Sequence, residues 1–137
     1  MSENGLLLDA SALLALVQKE SQAGEVASLL GRSSIHAINL AEVVTKLIQH
    51  GYTDVIPLIS RLGIPVLKIF DEQHAAFCGE LHAGSLKLGL SLGDCVCLTI
   101  ARAHQMVAVT KESKWEEAGQ KLGIQVRRLV PSVSPLK

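Results

Sequence analysis

Five strand-length apolar runs, each followed or preceded by helix-length segments, constrain this chain more than any other feature. The runs are Gly5 to Asp9, Ser34 to Ile38, Ile64 to Phe70, Met106 to Thr110 and Ile124 to Val130. Ala10 to Lys19 and Ala23 to Leu30 fit helices, the second stopped by Gly31. Asn39 suits an N-cap for a helix through Ile48 that Gly51 closes. Another helix starts at Thr53, carries Pro57 in its first turn and ends at Gly63. Asp71 and Ser91 are caps for helices running toward Leu86 and to about His104, and Trp115 to Leu122 is a last helix before Gly123. Strands separated by helices predict a parallel sheet with helices on both faces. Right-handed crossovers then leave a few doubly wound arrangements. The predicted class is α/β: a three-layer α/β/α sandwich around a mostly parallel five-stranded sheet.

The 137 residues fit one domain, placed at residues 1–130 with a loose tail at 131–137. Apolar residues are 48% and charged residues 19%, the balance of a folded protein. No run approaches the ~20 apolar residues of a membrane span. Met1-Ser2-Glu3-Asn4-Gly5 lacks the basic start of a signal peptide. Three cysteines, Cys78, Cys95 and Cys97, make no disulfide framework and no zinc spacing, so buried thiols in a reducing compartment are expected. Thirteen basic against thirteen acidic residues leave a net charge of zero, which neither supports nor excludes nucleic acid: a neutral binder must concentrate its positive charge locally or use metal ions. At 3% aromatic residues, a base-stacking platform of the single-strand-binding kind is not expected.

Four carboxylates stand beside or at the edge of apolar segments: Asp9, Glu42, Asp94 and Glu112. An unpaired charge is costly in such places, and Mg²⁺ or Mn²⁺ prefers oxygen ligands, so a shared cation site is one reading. Ligands in open α/β sheets bind beyond the carboxyl ends of the strands. Asp9 and Glu112 fall at or just after the ends of the first and fourth strands, and Glu42 lies one turn into the helix after the second. Asp94 has no strand directly before it, so pattern alone does not place it. Each acid also has an ordinary role. Asp9 caps a helix; Asn39-x-x-Glu42 and Ser91-x-x-Asp94 fit capping boxes; Glu112 fits a solvated loop between Lys111 and Lys114. Ser11 and Thr110 are hydroxyls near the acids, or helix-start and strand-end hydrogen-bonding residues. The five histidines are assigned to structural or surface positions, and Trp115 to packing.

The residues resemble the PIN-domain ribonucleases, and most closely the VapC-like toxins of bacterial and archaeal toxin–antitoxin pairs. The resemblance runs from Leu6 to about Leu129. It is carried in order by Leu8-Asp9-Ala10-Ser11-Ala12, Ile38-Asn39-Leu40-Ala41-Glu42-Val43, Gly89-Leu90-Ser91-Leu92-Gly93-Asp94 and Val107-Ala108-Val109-Thr110-Lys111-Glu112. One departure stands out: the family usually has Asp two residues after the last threonine, where this chain has Glu112.

The resemblance implies a metal-dependent endoribonuclease that leaves a 5′-phosphate and a 3′-hydroxyl. Asp9 and Asp94 would be the first metal ligands, with Glu42 and Glu112 completing the site directly or through water. The cofactor would be Mg²⁺ or Mn²⁺. Ser11 and Thr110 would support the acids, and Lys46, Lys111 and Lys114 would contact RNA phosphates. A homodimer, a cognate antitoxin that covers the site, a cytoplasmic location and no membrane association are also implied. Two rivals remain: a degenerate PIN-like interaction module, and another Asp-Mg²⁺ α/β phosphotransfer domain.

Overall fold

A computed structural model describes residues 5–131, so the Met1 to Asn4 start and all of the expected tail except Pro131 lie outside the described residues. In chain order the elements are β1 (Leu6–Leu8), α1 (Ala10–Val17), α2 (Ala23–Leu29), β2 (Ser33–His36), α3 (Ala37–Gln49), α4 (Val55–Ser60), β3 (Val66–Leu67), α5 (Glu72–Gly84), α6 (Leu92–His104), β4 (Val107–Thr110), α7 (Lys114–Leu122) and β5 (Val126–Arg128). Short 3-10 turns follow α2 and α5.

The sheet order is β3-β2-β1-β4-β5, and all four pairings are parallel. The chain steps outward from β1 through β2 to β3, then returns to place β4 on the other side of β1. The strand order therefore reverses between β1 and β4, and a crevice opens beyond their carboxyl ends.

Strand alternation splits the core in two. Leu6 and Leu8 pack with Leu13, Val43, Leu47 and Ile59 from α1, α3 and α4. Leu7 faces the other way, onto Cys78, Leu98, Ile100 and Trp115 from α5, α6 and α7. Leu7 and Leu8 are both fully buried, worth about 1.5–3 kcal/mol each in transfer free energy. The three cysteines are free and buried, as expected, and Trp115 is fully buried in the packing role assigned to it. Among the described residues no helix is long and apolar enough to cross a membrane.

Two expectations are corrected. The run Ile64 to Phe70 contributes only Val66–Leu67 to the sheet. Its sole partner, β2, stops at His36 because α3 begins at Ala37, so the ladder has nothing further to pair with. Ile69 and Phe70 instead leave the sheet. The Ile69 carbonyl lies 3.0 Å from His36 Nε2, and the Phe70 ring meets the His36 ring edge-on at 5.9 Å.

The second correction is the start of α3. Asn39 was expected to cap it, but His36 does: its backbone is extended (φ −79°, ψ 147°) and its Nδ1 accepts the Ile38 N–H at 3.1 Å. With the helix starting earlier, Asn39 falls in its first turn and its side chain turns inward, 1% exposed. The other two caps stand where the sequence puts them. Asp71 forms a capping box with His74, and Ser91 forms one with Asp94.

Candidate functional site

Asp9 ends β1 and begins α1. Its carboxylate accepts the Ala12 N–H at 2.8 Å, which caps the helix, so the ordinary role is real. Capping uses only part of the group. The Thr110 hydroxyl donates to Oδ2 at 2.6 Å, and the single Ser11 hydroxyl hydrogen is shared between Oδ1 and Oδ2 at 2.8 and 2.9 Å. Both hydroxyls are themselves acceptors: Ser11 Oγ takes the Lys111 N–H at 3.0 Å, and Thr110 Oγ1 takes the Glu112 N–H at 3.0 Å. Two short polarised chains thus run from the loop after β4 into one buried carboxylate.

Asp9 is only 2% exposed. Burial pushes its carboxyl up from 3.8 to about 7, against the lowering pull of the Thr110, Ser11 and Ala12 donors, and the charge of Asp94 adds to the rise. The Glu42 carboxyl is also raised, first by burial and then by Asp94, while the Asn39 amide and Lys46 act in the lowering direction. Behind these acids Cys97 is fully buried. Its thiol is pushed well above its usual range by burial and by Asp9, Asp94 and Glu42 together.

All four expected acids line one open cleft of about 320 Å³ at the reversal point between β1 and β4. Asp94 was the acid that pattern could not place. It arrives from the first turn of α6, where its Oδ2 accepts the Ser91 N–H at 2.9 Å and its own N–H is donated to Ser91 Oγ at 3.0 Å. Its capping role and its place in the cleft coexist. Glu42 reaches the cleft from α3, held by Asn39 Nδ2 at 3.0 Å. The capping-box reading of Asn39 and Glu42 does not hold, because Asn39 is not the cap. Glu112 is fixed through its backbone N–H and lines the cleft.

Of the three lysines, Lys46, Lys111 and Lys114 all line the same cleft. Lys114 Nζ donates to the Gly89 carbonyl at 2.9 Å, and Lys111 Nζ is ion-paired with Glu20. Sequence reasoning missed Glu20. It lines the cleft just after Lys19, whose left-handed backbone (φ 57°) turns the chain beyond the end of α1. No local spacing signals that turn. The inward turn of the Asn39 amide onto Glu42 and the Gly93 carbonyl was also missed.

The donor set suits a hard divalent cation, being carboxylate oxygen throughout. Asp9 receives three hydrogens on about four acceptor positions, which leaves one free. Among the described residues no three His, Cys, Asp or Glu side chains close into a ready-made cage.

The PIN domain family profile matches residues 6–121. No curated protein matches the sequence. Among solved structures, the fold is similar to DNA-bound VapBC from Salmonella typhimurium, with 19% identity, a TM-score of 0.66, and coverage of 90% of this chain and 97% of that one. It is also similar to VapBC2 from Rickettsia felis bound to a promoter DNA fragment (16%, 0.65, 91% and 98%). A third likeness is to a toxin–antitoxin complex from Klebsiella pneumoniae (19%, 0.60, 80% and 88%). At these identities the solved structures speak to the fold, and the fold agrees with the profile match over most of the chain's length. The chain belongs to the PIN-domain family.

Proposed function

We propose that this chain is a divalent-metal-dependent endoribonuclease and the VapC-like toxin of a toxin–antitoxin pair. The observation that carries the proposal is the convergence of Asp9, Glu42, Asp94 and Glu112 on one cleft from four separate elements, with Asp9 buried. Nothing in helix capping requires four acids to share a cleft. Burial first, and the charge of Asp94 in addition, raise the Asp9 and Glu42 carboxyls, and a bound cation would offset both.

In this reading Asp9 and Asp94 hold the ion, and Glu42 and Glu112 complete its surroundings directly or through water. A bound Mg²⁺ or Mn²⁺ would supply Lewis-acid activation of water and neutralise charge on the phosphoryl oxygens. Thr110 and Ser11 orient Asp9 and leave one of its acceptor positions open. Glu42 is placed to accept a proton. Lys46, Lys111 and Lys114 offer positive charge to the phosphates of an RNA strand, Lys111 after leaving Glu20. The family membership supports a nuclease, and the toxin–antitoxin complexes among the similar structures support an antitoxin partner. A homodimer and a cytoplasmic location complete the proposal.

The test is sequencing of RNA 5′ ends after induced expression of wild type and Asp9→Asn. New 5′-phosphate ends are expected with wild type alone. Identical end maps for the two proteins would overturn the proposal. Cleavage in vitro that persists in excess EDTA would remove the metal from it.

A further inference from the structure

The first turns of α3 and α6 meet at one buried contact. Asn39 is 1% exposed, and its Nδ2 donates twice, to Glu42 Oε1 at 3.0 Å and to the Gly93 carbonyl at 3.0 Å. The Gly93 carbonyl can only accept, and the ionised Glu42 carboxylate likewise accepts. With the amide turned over, Oδ1 would face them and both bonds would be lost, so the two acceptors fix its orientation. The cost of this arrangement is visible: among the described residues Oδ1 is buried without a partner. A buried acceptor left unmet so that the same amide can donate twice calls for a reason.

Gly93 supplies the other half of the contact. It is buried, and a Cβ built on it would stand 2.1 Å from Glu42 Oε2 and 2.4 Å from its Cδ. The Glu42 carboxylate therefore lies on bare backbone, one residue before Asp94. The bond to the Gly93 carbonyl ties α3 to α6. The second bond, within α3, adds nothing to docking; what it does is hold a carboxylate that has three rotatable bonds.

We infer that Asn39 and Gly93 form a clamp that positions the Glu42 carboxylate beside Asp94 for cation binding, with Asn39 as a positioning residue and Gly93 as the clearance it requires. The inference rests on the active-site reading above. A clamped carboxylate binds an ion without first losing rotamer freedom, which is the advantage of preorganisation. Outer groups of this kind typically govern about 10–100-fold in metal affinity.

The experiment is Mn²⁺ binding followed by electron paramagnetic resonance, with thermal melting in EDTA alongside, for wild type, Asn39→Ala, Gly93→Ala and the double variant. Gly93→Ala is the cleaner probe. The atoms in the way are the far end of a flexible side chain, so the protein should fold with Glu42 displaced and Asn39 intact. Each single variant should bind Mn²⁺ about 10–100-fold more weakly, and the double variant no more weakly than the worse single one, since both act through one displaced carboxylate. Wild-type affinity in a folded Gly93→Ala, or multiplying losses in the double variant, would overturn the clamp. If Asn39→Ala does not fold, Gly93→Ala alone decides. If wild type binds no Mn²⁺, the metal-site reading falls and the clamp with it, a result distinct from clamp failure at a wild-type site that binds.

Discussion

The Thr110 hydroxyl donates to the Asp9 carboxylate at 2.6 Å, joining two residues that lie 101 positions apart in the chain. It does so because β1 and β4 are adjacent parallel strands whose carboxyl ends stand side by side. Thr110 is fully buried, and its bond is the largest of those that pull the Asp9 carboxyl downward.

Thr110→Val keeps the shape and removes this donor. It also leaves the Glu112 N–H without its acceptor. We expect a loss of about 1–3 kcal/mol at pH 8, where Asp9 is ionised and one of its buried contacts is missing. At pH 5.5 the loss should shrink, because a protonated Asp9 demands fewer donors. Urea unfolding at the two pH values measures both, and equal losses would count against an ionised Asp9 at pH 8.

Asp9 also sets a pH dependence. Its folded value of about 7 lies above its ordinary 3.8, so between those values the folded state holds a proton that the unfolded chain has released. Stability from this group is full below about 3.8 and is lost as the pH rises through about 7. Glu42, raised by burial, acts with the same sign. Asp71, lowered chiefly by the His74 backbone N–H, is fully exposed and acts only as the pH falls below the ordinary carboxylate range. Melting in EDTA from pH 4.5 to 8 should show a downward slope on the order of a few kcal/mol in total, flattened by Asp9→Asn. Parallel slopes for the two proteins would remove Asp9 as its source.

Glu112 departs from the usual aspartate, and among the described residues its carboxylate accepts no hydrogen bond, so it is free to meet an ion or water. Glu112→Asp should be tolerated and raise activity with Mg²⁺. Glu112→Ala should weaken metal binding while stability stays within about ±0.5 kcal/mol. Superimposable Mn²⁺ titrations of cleavage rate for wild type and both variants would leave a three-acid centre of Asp9, Glu42 and Asp94.

Glu42→Gln retains an oxygen to accept the Asn39 amide, and Glu42 is not part of a cap. Stability should therefore be unchanged within about ±0.5 kcal/mol, while cleavage falls by about 100-fold or more. Full activity in this variant would take Glu42 out of the chemistry.

The Glu20–Lys111 pair is half-buried at the cleft wall. Glu20→Gln frees Lys111 and removes a negative charge from the path of a phosphate. In an Asp94→Asn background, RNA binding at low salt should tighten by up to about fivefold, the scale of one partly exposed ion pair. The gain should fade as salt screens it. Unchanged affinity at low salt would show that Lys111 does not meet the RNA.

What the sequence determined was local. The spacing of apolar runs and glycine stops set the order of strands and helices, and Ser91-x-x-Asp94 formed its capping box because both partners lie within one helical turn. Asp9 could be placed because it directly follows β1. The remainder depended on partners distant in the chain. β3 shrank to two residues because its neighbour β2 ended first, and Asn39 lost the cap to His36 and found Gly93, 54 positions away. Glu20 entered the cleft through a left-handed turn at Lys19 and an ion pair with Lys111, 91 positions on. Asp94 joined the other acids only when α6 packed against α3 closely enough for a missing Cβ to matter. A capping signal is decided by the few residues around it, whereas the position of a carboxylate in a shared cleft is decided by which surfaces the parallel sheet brings together.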